Sequence, residues 1–150
     1  EGVYAQRSAD ANAVGMYSDD QAMNLAATLA FVKACTTDPL NPDDLATMVG
    51  YNMLVSPSIR QHCRLRHEDY RPTMAALSIP AMVLWGSKDA IVLPPMAQQS
   101  LDTIPNAQAV ELSGLGHAPF FEDPIRFNAA LTAFADQAFT TDPMQLRQVP

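Results

Sequence analysis

Residues 81–89 read AMVLWGSKD, an apolar run that ends in a glycine turn carrying the acid Asp89. A second short run at residues 107–112 is followed by GLGH at residues 114–117, so it ends in a glycine turn carrying His117. Parallel strands deliver the residues after their carboxyl ends to one edge of a sheet. We therefore expect Asp89 and His117 to lie within hydrogen-bond reach, with a carboxylate oxygen facing the ring nitrogen Nδ1. An acid and a histidine in this arrangement form the charge-relay part of a catalytic triad.

The two runs differ in their patterning. Residues 81–86 are apolar throughout, which is typical of a parallel strand covered on both faces. Residues 107–112 alternate, which is typical of a half-covered strand near a sheet edge. The closing helix carries an apolar stripe formed by Phe127, Leu131, Phe134 and Ala138. These patterns predict an α/β fold with a parallel sheet in the second half of the chain.

Helix starts are marked by capping residues and by prolines at the first helical position. The first predicted helix follows a capping box formed by Ser18 and Gln21. A second begins after Asn41 and ends near Leu54, and a third begins after Ser56 and ends near Asp69. Further helices are predicted at about 72–77, at 94–103 and after Asp123. The first 78 residues contain no convincing strand pattern. The polar end of the chain, residues 141–150, is expected to be loose.

The nucleophile of a triad is not found in this sequence. A nucleophile elbow reads G-x-S-x-G, and no two of the six glycines are four positions apart. No serine, cysteine or aspartate follows an apolar strand and opens a helix in the required way, and Ser87, the nearest candidate, lies in the acid turn. We therefore expect the chain to be the C-terminal part of a longer protein, with the N-terminal half of the same protein as its partner.

Each candidate residue also has a purely structural interpretation. Asp89 follows a glycine, where acids are common simply as turn residues. His117 could be a buried histidine whose ring is satisfied by its surroundings. Spacing and chain order together favour the acid–histidine pair over these alternatives.

A metal site is not expected. His62 and His67 are five positions apart, about 140° around a helix, so they do not share a face. No second cluster supplies further ligands. The two cysteines, Cys35 and Cys63, fall in helical patterns and are expected to be buried or idle thiols.

Five short motifs are spread over the second half of the chain: IP at 79–80, WGSKD at 85–89, IPNA at 104–107, GHAP at 116–119 and EDP at 122–124. Because it carries these motifs, the chain from about Phe31 to Ala135 resembles the C-terminal half of α/β-hydrolase fold enzymes. Within that superfamily, the resemblance is greater to the cofactor-free haloperoxidase-like esterases and enol-lactonases. In that superfamily the triad runs nucleophile, acid, histidine along the chain, the order seen here. The resemblance implies a helical cap segment at residues 1–70, the last two strand–helix units of the core at 71–140, and a tail at 141–150.

The resemblance also implies an activity. His117 would act as general base and Asp89 would orient its ring, in the hydrolysis of a small ester, lactone or related carbonyl substrate without a cofactor. By analogy, Ile91 and Ala118 would face the substrate pocket. Two alternatives stay open: a dehalogenase-like hydrolase with an aspartate nucleophile, and a non-catalytic truncated module of the same fold. The residues upstream of this chain would separate them.

Composition narrows the class of partner. The formal net charge of −7 argues against nucleic acid and anionic membrane surfaces. No apolar run approaches the ~20 residues of a membrane span. We expect a cytoplasmic protein that acts on a small molecule.

Overall fold

The structure, a computed structural model, describes residues 12–65 and 68–140. Within them the elements follow in the order α1 (Asn12–Gly15), α2 (Gln21–Ala34), α3 (Pro42–Met53), α4 (Pro57–Leu65), α5 (Arg71–Ala75), β1 (Met82–Gly86), α6 (Pro94–Thr103), β2 (Gln108–Leu112), α7 (Pro119–Glu122) and α8 (Pro124–Thr140). The tail predicted to be loose, residues 141–150, and the histidine at position 67 lie outside the described residues. Among the helices in the described part of the chain, none combines the length and apolar character that crossing a bilayer requires.

The two predicted strands pair with each other. β1 and β2 are parallel and in continuous register, from Met82 opposite Gln108 to Gly86 opposite Leu112. Each strand begins one residue later than predicted, and α6 forms the connection between them and packs on β1. The α/β class and the parallel pairing are thereby confirmed. Because Gly86 and Leu112 lie side by side, the residues that follow them emerge at the same edge of the sheet.

Several helix starts are confirmed with their caps. The Asn41 side chain accepts hydrogen bonds from the backbone N–H groups of Asp43 and Asp44, at 3.1 and 2.9 Å, which starts α3. The Asp123 carboxylate accepts from the Arg126 N–H at 3.0 Å and starts α8. These caps use main-chain groups two or three residues away, which is why sequence alone predicts them.

The predicted capping box at Ser18 is wrong. Asp20 is the N-cap of α2, and its carboxylate accepts from the Met23 N–H at 3.0 Å. The Ser18 hydroxyl instead accepts from the Asp20 N–H at 3.1 Å and shapes the turn before the helix. A carboxylate also interacts favourably with the positive end of the helix dipole, so Asp20 suits this position better than a hydroxyl.

The helix predicted to reach Asp69 is also shorter, since residues 68–70 are not helical. Asp69 accepts from the Arg71 backbone N–H at 3.0 Å and pairs with the Arg71 guanidinium, which turns the chain into α5. The next helix, predicted over 72–77, spans Arg71–Ala75. Two short helices, α1 and α7, were not predicted.

The buried side chains in the helical part of the described chain lie mostly on α2. Ala27, Thr28 and Val32 are buried on this helix. The buried Asn24 side chain donates to the carbonyls of Met16 and Ser18, at 3.0 and 3.2 Å, and ties the turn after α1 to α2. Helix α2 ends at residue 34, and the turn after it, residues 35–37, contacts the loop that follows β2.

Candidate active site

The acid and the histidine meet at the carboxyl edge of the sheet. His117 Nδ1 and Asp89 Oδ2 are 2.9 Å apart. The Asp89 side chain is only 7% exposed, whereas the His117 side chain is 34% exposed. A carboxylate can only accept hydrogen bonds, so Nδ1 must carry the proton and Nε2 is left as the acceptor of a neutral ring. No group in the described part of the chain bonds to Nε2.

Asp89 uses each carboxylate oxygen for a different purpose. Oδ1 accepts from the backbone N–H groups of Ile91 and Val92, both at 2.8 Å, while Oδ2 faces the histidine. The interpretation as a turn residue and the interpretation as a partner of His117 therefore both hold. Three hydrogen bonds fix the plane of the carboxylate and with it the direction in which Oδ2 points.

The acid turn and the histidine loop are joined directly. The Ser87 N–H donates to Leu112 O at 3.2 Å, the Gly114 N–H donates to Ser87 Oγ at 2.8 Å, and the Lys88 N–H donates to Leu115 O at 2.9 Å. Gly114 has a φ of 85°, in the left-handed region that glycine adopts without strain. The hydroxyl of Ser87 is thus part of the join between the two turns.

Gly86 makes this close approach possible. A Cβ at this position would lie 2.1 Å from Gly116 O and 2.3 Å from Leu115 O. Both atoms belong to the backbone of the histidine loop, which cannot move aside as a flexible side chain would. The glycine at the end of β1 is therefore required by the proximity of the two turns.

The histidine loop is also tied to the turn after α2. The Ala118 N–H donates to Cys35 O at 2.9 Å. Glu122 Oε1 accepts from the Gly116 N–H at 2.6 Å, and Oε2 accepts from the Thr37 N–H and hydroxyl at 2.7 and 2.6 Å. In the sequence, Glu122 is distinguished only as part of the EDP motif. Its partner Thr37 is 85 positions away, so no local spacing could have identified this contact.

A cavity of about 280 Å³ borders the pair. Asp89 and His117 contribute to its wall, and the rest is mainly apolar, with Val83, Val92, Met96, Ala97 and Pro119 among the lining residues. Ile91 and Ala118 are not among them, although each is next to a residue that is. Ile91 contributes its backbone N–H to Asp89, and Ala118 is buried, with 6% exposure. That their side chains face substrate remains a prediction.

Cys35 lies near the pair, and its thiol is partly buried. Burial, with the nearby charges of Asp89 and Glu122, raises the pKa of the Cys35 thiol to about 11, so it is protonated at neutral pH. The thiol donates a hydrogen bond to Phe31 O at 3.3 Å. His62 and Cys63 are exposed on α4. The described residues contain no group of three or more His, Cys, Asp or Glu placed to hold a metal ion.

Known proteins similar to this chain are found by structure and by sequence, whereas no protein-family model matches it. The structure is similar to an esterase from a Rhodococcus species, with a TM-score of 0.81 and 30% identity, covering 88% of this chain and 49% of that one. It is also similar to a bromoperoxidase from Bacillus anthracis, with a TM-score of 0.70 and 20% identity, covering 81% of this chain and 46% of that one.

A relative was also found by sequence. The pimeloyl-[acyl-carrier protein] methyl ester esterase of Edwardsiella ictaluri is 37% identical over 73 residues, which are 48% of this chain and 28% of that protein. The chain thus spans about half the length of the similar structures and a smaller share of this relative.

Proposed function

Because the chain belongs to the α/β-hydrolase fold superfamily and forms the C-terminal part of that fold, we propose that the full-length protein hydrolyses small esters. The catalytic groups in this proposal are a nucleophile, His117 and Asp89. The observation that carries the proposal is the 2.9 Å contact between His117 Nδ1 and Asp89 Oδ2, with Nε2 of a partly exposed ring left as a base. The esterases among the similar proteins support the reaction class.

The chemistry assigns one role to each group. Nε2 of His117 takes the proton from a nucleophile hydroxyl as its oxygen attacks the ester carbonyl, and then gives that proton to the leaving alcohol. In the second half of the reaction, Nε2 takes a proton from a water molecule as the water oxygen attacks the carbonyl carbon of the acyl-enzyme. Finally it returns the proton to the nucleophile as the acid leaves. Asp89 keeps the ring in the required tautomer and stabilises the imidazolium formed in each step.

The nucleophile is supplied by another part of the full-length protein in this proposal. Ser87 is an unsuitable candidate because its hydroxyl accepts from the Gly114 N–H in the join between the two turns. Cys35 is a poor candidate because its thiol donates a hydrogen bond to Phe31 O and its pKa is raised. The partner of this chain is then the N-terminal half of the same protein, and no cofactor takes part.

The substrate class follows from the wall of the cavity. Apolar side chains predominate around the pair, and they favour a small, largely uncharged carbonyl compound over a charged one. The protein is proposed to act on such small molecules in the cytoplasm.

The test uses the full-length protein with a fluorophosphonate probe and a simple aryl ester. We expect the probe to label a serine other than Ser87 and the ester to be hydrolysed. Replacing His117 by Ala should lower kcat by roughly 10³-fold or more while KM changes little, because the ring acts on the reacting atoms and not on binding. Absence of both labelling and turnover in the full-length protein, or labelling at Ser87, would contradict the proposal.

A further inference from the structure

We propose that Glu122 is a positioning residue for His117, holding the histidine loop in place through Gly116 and the turn after α2. The inference rests on the proposed function, because the ring has to be positioned only if it acts on a substrate. Glu122 touches neither the ring nor Asp89 through a hydrogen bond, so its effect is exerted through the backbone of the loop.

Both oxygens of the Glu122 carboxylate accept hydrogen bonds. One oxygen binds the Gly116 N–H and the other binds both donors of Thr37, all at 2.6–2.7 Å. Hydrogen bonds to an ionised carboxylate are shorter and stronger than those between neutral groups. A carboxylate with acceptors on both sides bridges these donors, whereas an amide would present an N–H₂ group to one of them.

His117 lies between two tethered residues. Gly116 is bound to Glu122, and Ala118 donates to Cys35 O at 2.9 Å. Both tethers lead to residues 35–37. A Cβ on Gly116 would lie 3.0 Å from Glu122 Oε1 and 3.1 Å from Cys35 O, so the backbone here is closely packed. The backbone on each side of the histidine is therefore fixed, and the direction of the ring towards Asp89 depends on it.

The neighbouring acid shows that this arrangement is not simply that of a helix-start residue. Asp123 caps α8 in the usual way, by accepting from the Arg126 N–H. Glu122 lies in the first turn of α7 but bonds to Gly116 and Thr37 rather than to N–H groups of its own helix. The two adjacent acids thus have separate roles, and Asp123 provides a matched control.

The experiment compares four variants of the full-length protein: Glu122→Gln, Glu122→Asp, Thr37→Val and Asp123→Asn. Glu122→Gln keeps the size and loses the charge, whereas Glu122→Asp keeps the charge and is one methylene too short to bridge both partners. Thr37→Val removes one hydrogen bond to Oε2 but keeps the Thr37 N–H and the link to Gly116. The measurements are kcat and KM for an aryl ester, thermal unfolding, and the downfield proton resonance of His117 Nδ1–H.

Both Glu122 variants should lower kcat about 10- to 100-fold with KM within about twofold, because a small displacement of a catalytic group costs rate rather than binding. Both should also shift or broaden the Nδ1–H resonance. Asp123→Asn should keep kcat within about twofold and leave that resonance unchanged, even where the midpoint of unfolding falls. Thr37→Val weakens the same tether, so its kcat and its resonance should lie between those of the wild type and those of the Glu122 variants. If Glu122→Gln does not fold, Glu122→Asp decides by the same criteria.

Two results would overturn the inference. One is a wild-type kcat and an unchanged resonance in Glu122→Asp or Glu122→Gln. The other is an equal loss of kcat and an equal shift of the resonance in Asp123→Asn, which would mean that any change at the start of α8 disturbs the ring. Failure of the proposed function is recognised separately, as absence of turnover and of labelling in the unaltered protein. In that case the resonance still tests whether Glu122 positions the ring.

Discussion

At the scale of single residues, Asp89 combines the geometry of a turn with that of a relay acid. Its Oδ1 would bind the N–H groups of Ile91 and Val92 whether or not a histidine were present, and its Oδ2 is then directed at His117. The local turn thus provides the orientation that the proposed relay requires. An asparagine at this position can preserve the first function and lose the second.

Replacing Asp89 by Asn in the full-length protein should therefore lower kcat strongly and stability little. The amide oxygen can still accept from Ile91 and Val92, but the N–H₂ group then faces Nδ1 and favours the tautomer with the proton on Nε2, which cannot act as a base. The expected loss is roughly 10³- to 10⁴-fold, as for the same exchange of the relay acid in a serine protease triad. Steady-state kinetics and thermal unfolding measure the two effects.

Asp123→Asn provides the control for the choice of acid. Asparagine caps a helix about as well as aspartate, so kcat and the free energy of unfolding should both stay near wild type. A loss of activity in Asp123→Asn together with normal activity in Asp89→Asn would show that the relay acid has been assigned wrongly.

At the scale of elements, the features predicted from sequence are those with local causes. The strands β1 and β2 follow from apolar runs, and α3, α6 and α8 follow from N-caps and prolines within a few residues of their starts. Asp20 displaced Ser18 as a cap because two capping residues compete within one turn. The contact of Glu122 with Thr37 joins residues 85 positions apart, and only the folded chain reveals it.

Gly86, at the end of β1, lies directly against the backbone of the histidine loop. Gly86→Ala in the full-length protein should force the histidine loop away from β1, because the new Cβ would lie 2.1 Å from a backbone oxygen. We expect a loss of about 1–3 kcal/mol in the free energy of unfolding, as for overpacked sites, and a large loss of kcat as Asp89 and His117 separate. Chemical denaturation and ester hydrolysis measure these changes.

Gly50 is the matched glycine for this test. It lies within α3, and a Cβ there would have no atom within 4 Å among the described residues. Gly50→Ala should stabilise the protein by about 0.5–1 kcal/mol, since alanine is the better helix former, and should leave activity unchanged. Equal effects of the two substitutions would mean that the close approach at Gly86 is not important.

At the scale of the whole molecule, the described chain leaves much apolar surface uncovered. Large apolar side chains are more than half exposed at several positions, among them Tyr51, Leu54, Ile79, Ile125 and Phe139. The predicted stripe on the closing helix is only partly covered, with Leu131 45% exposed. Within residues 12–65 and 68–140, β1 has a paired strand on one side only. Such surface is typical of an interface with further polypeptide.

The 150-residue chain produced alone should therefore self-associate and should not hydrolyse aryl esters. The open edge of β1 and the apolar side chains promote association, and no hydroxyl or thiol among the described residues bonds to Nε2 of His117. Analytical ultracentrifugation and an ester assay test both points, with the full-length protein as control. A monomeric, active chain would show that the site is complete within these 150 residues.

The join between the two turns has a consequence for how such proteins diversify. Asp89 and His117 are 28 positions apart, within one strand–helix–strand unit, and three hydrogen bonds between their turns hold them in mutual alignment. A pair assembled inside one contiguous unit is inherited as a module. Under the proposed function, the nucleophile and the substrate-selecting residues can therefore change in evolution while the base and its orienting acid are kept together.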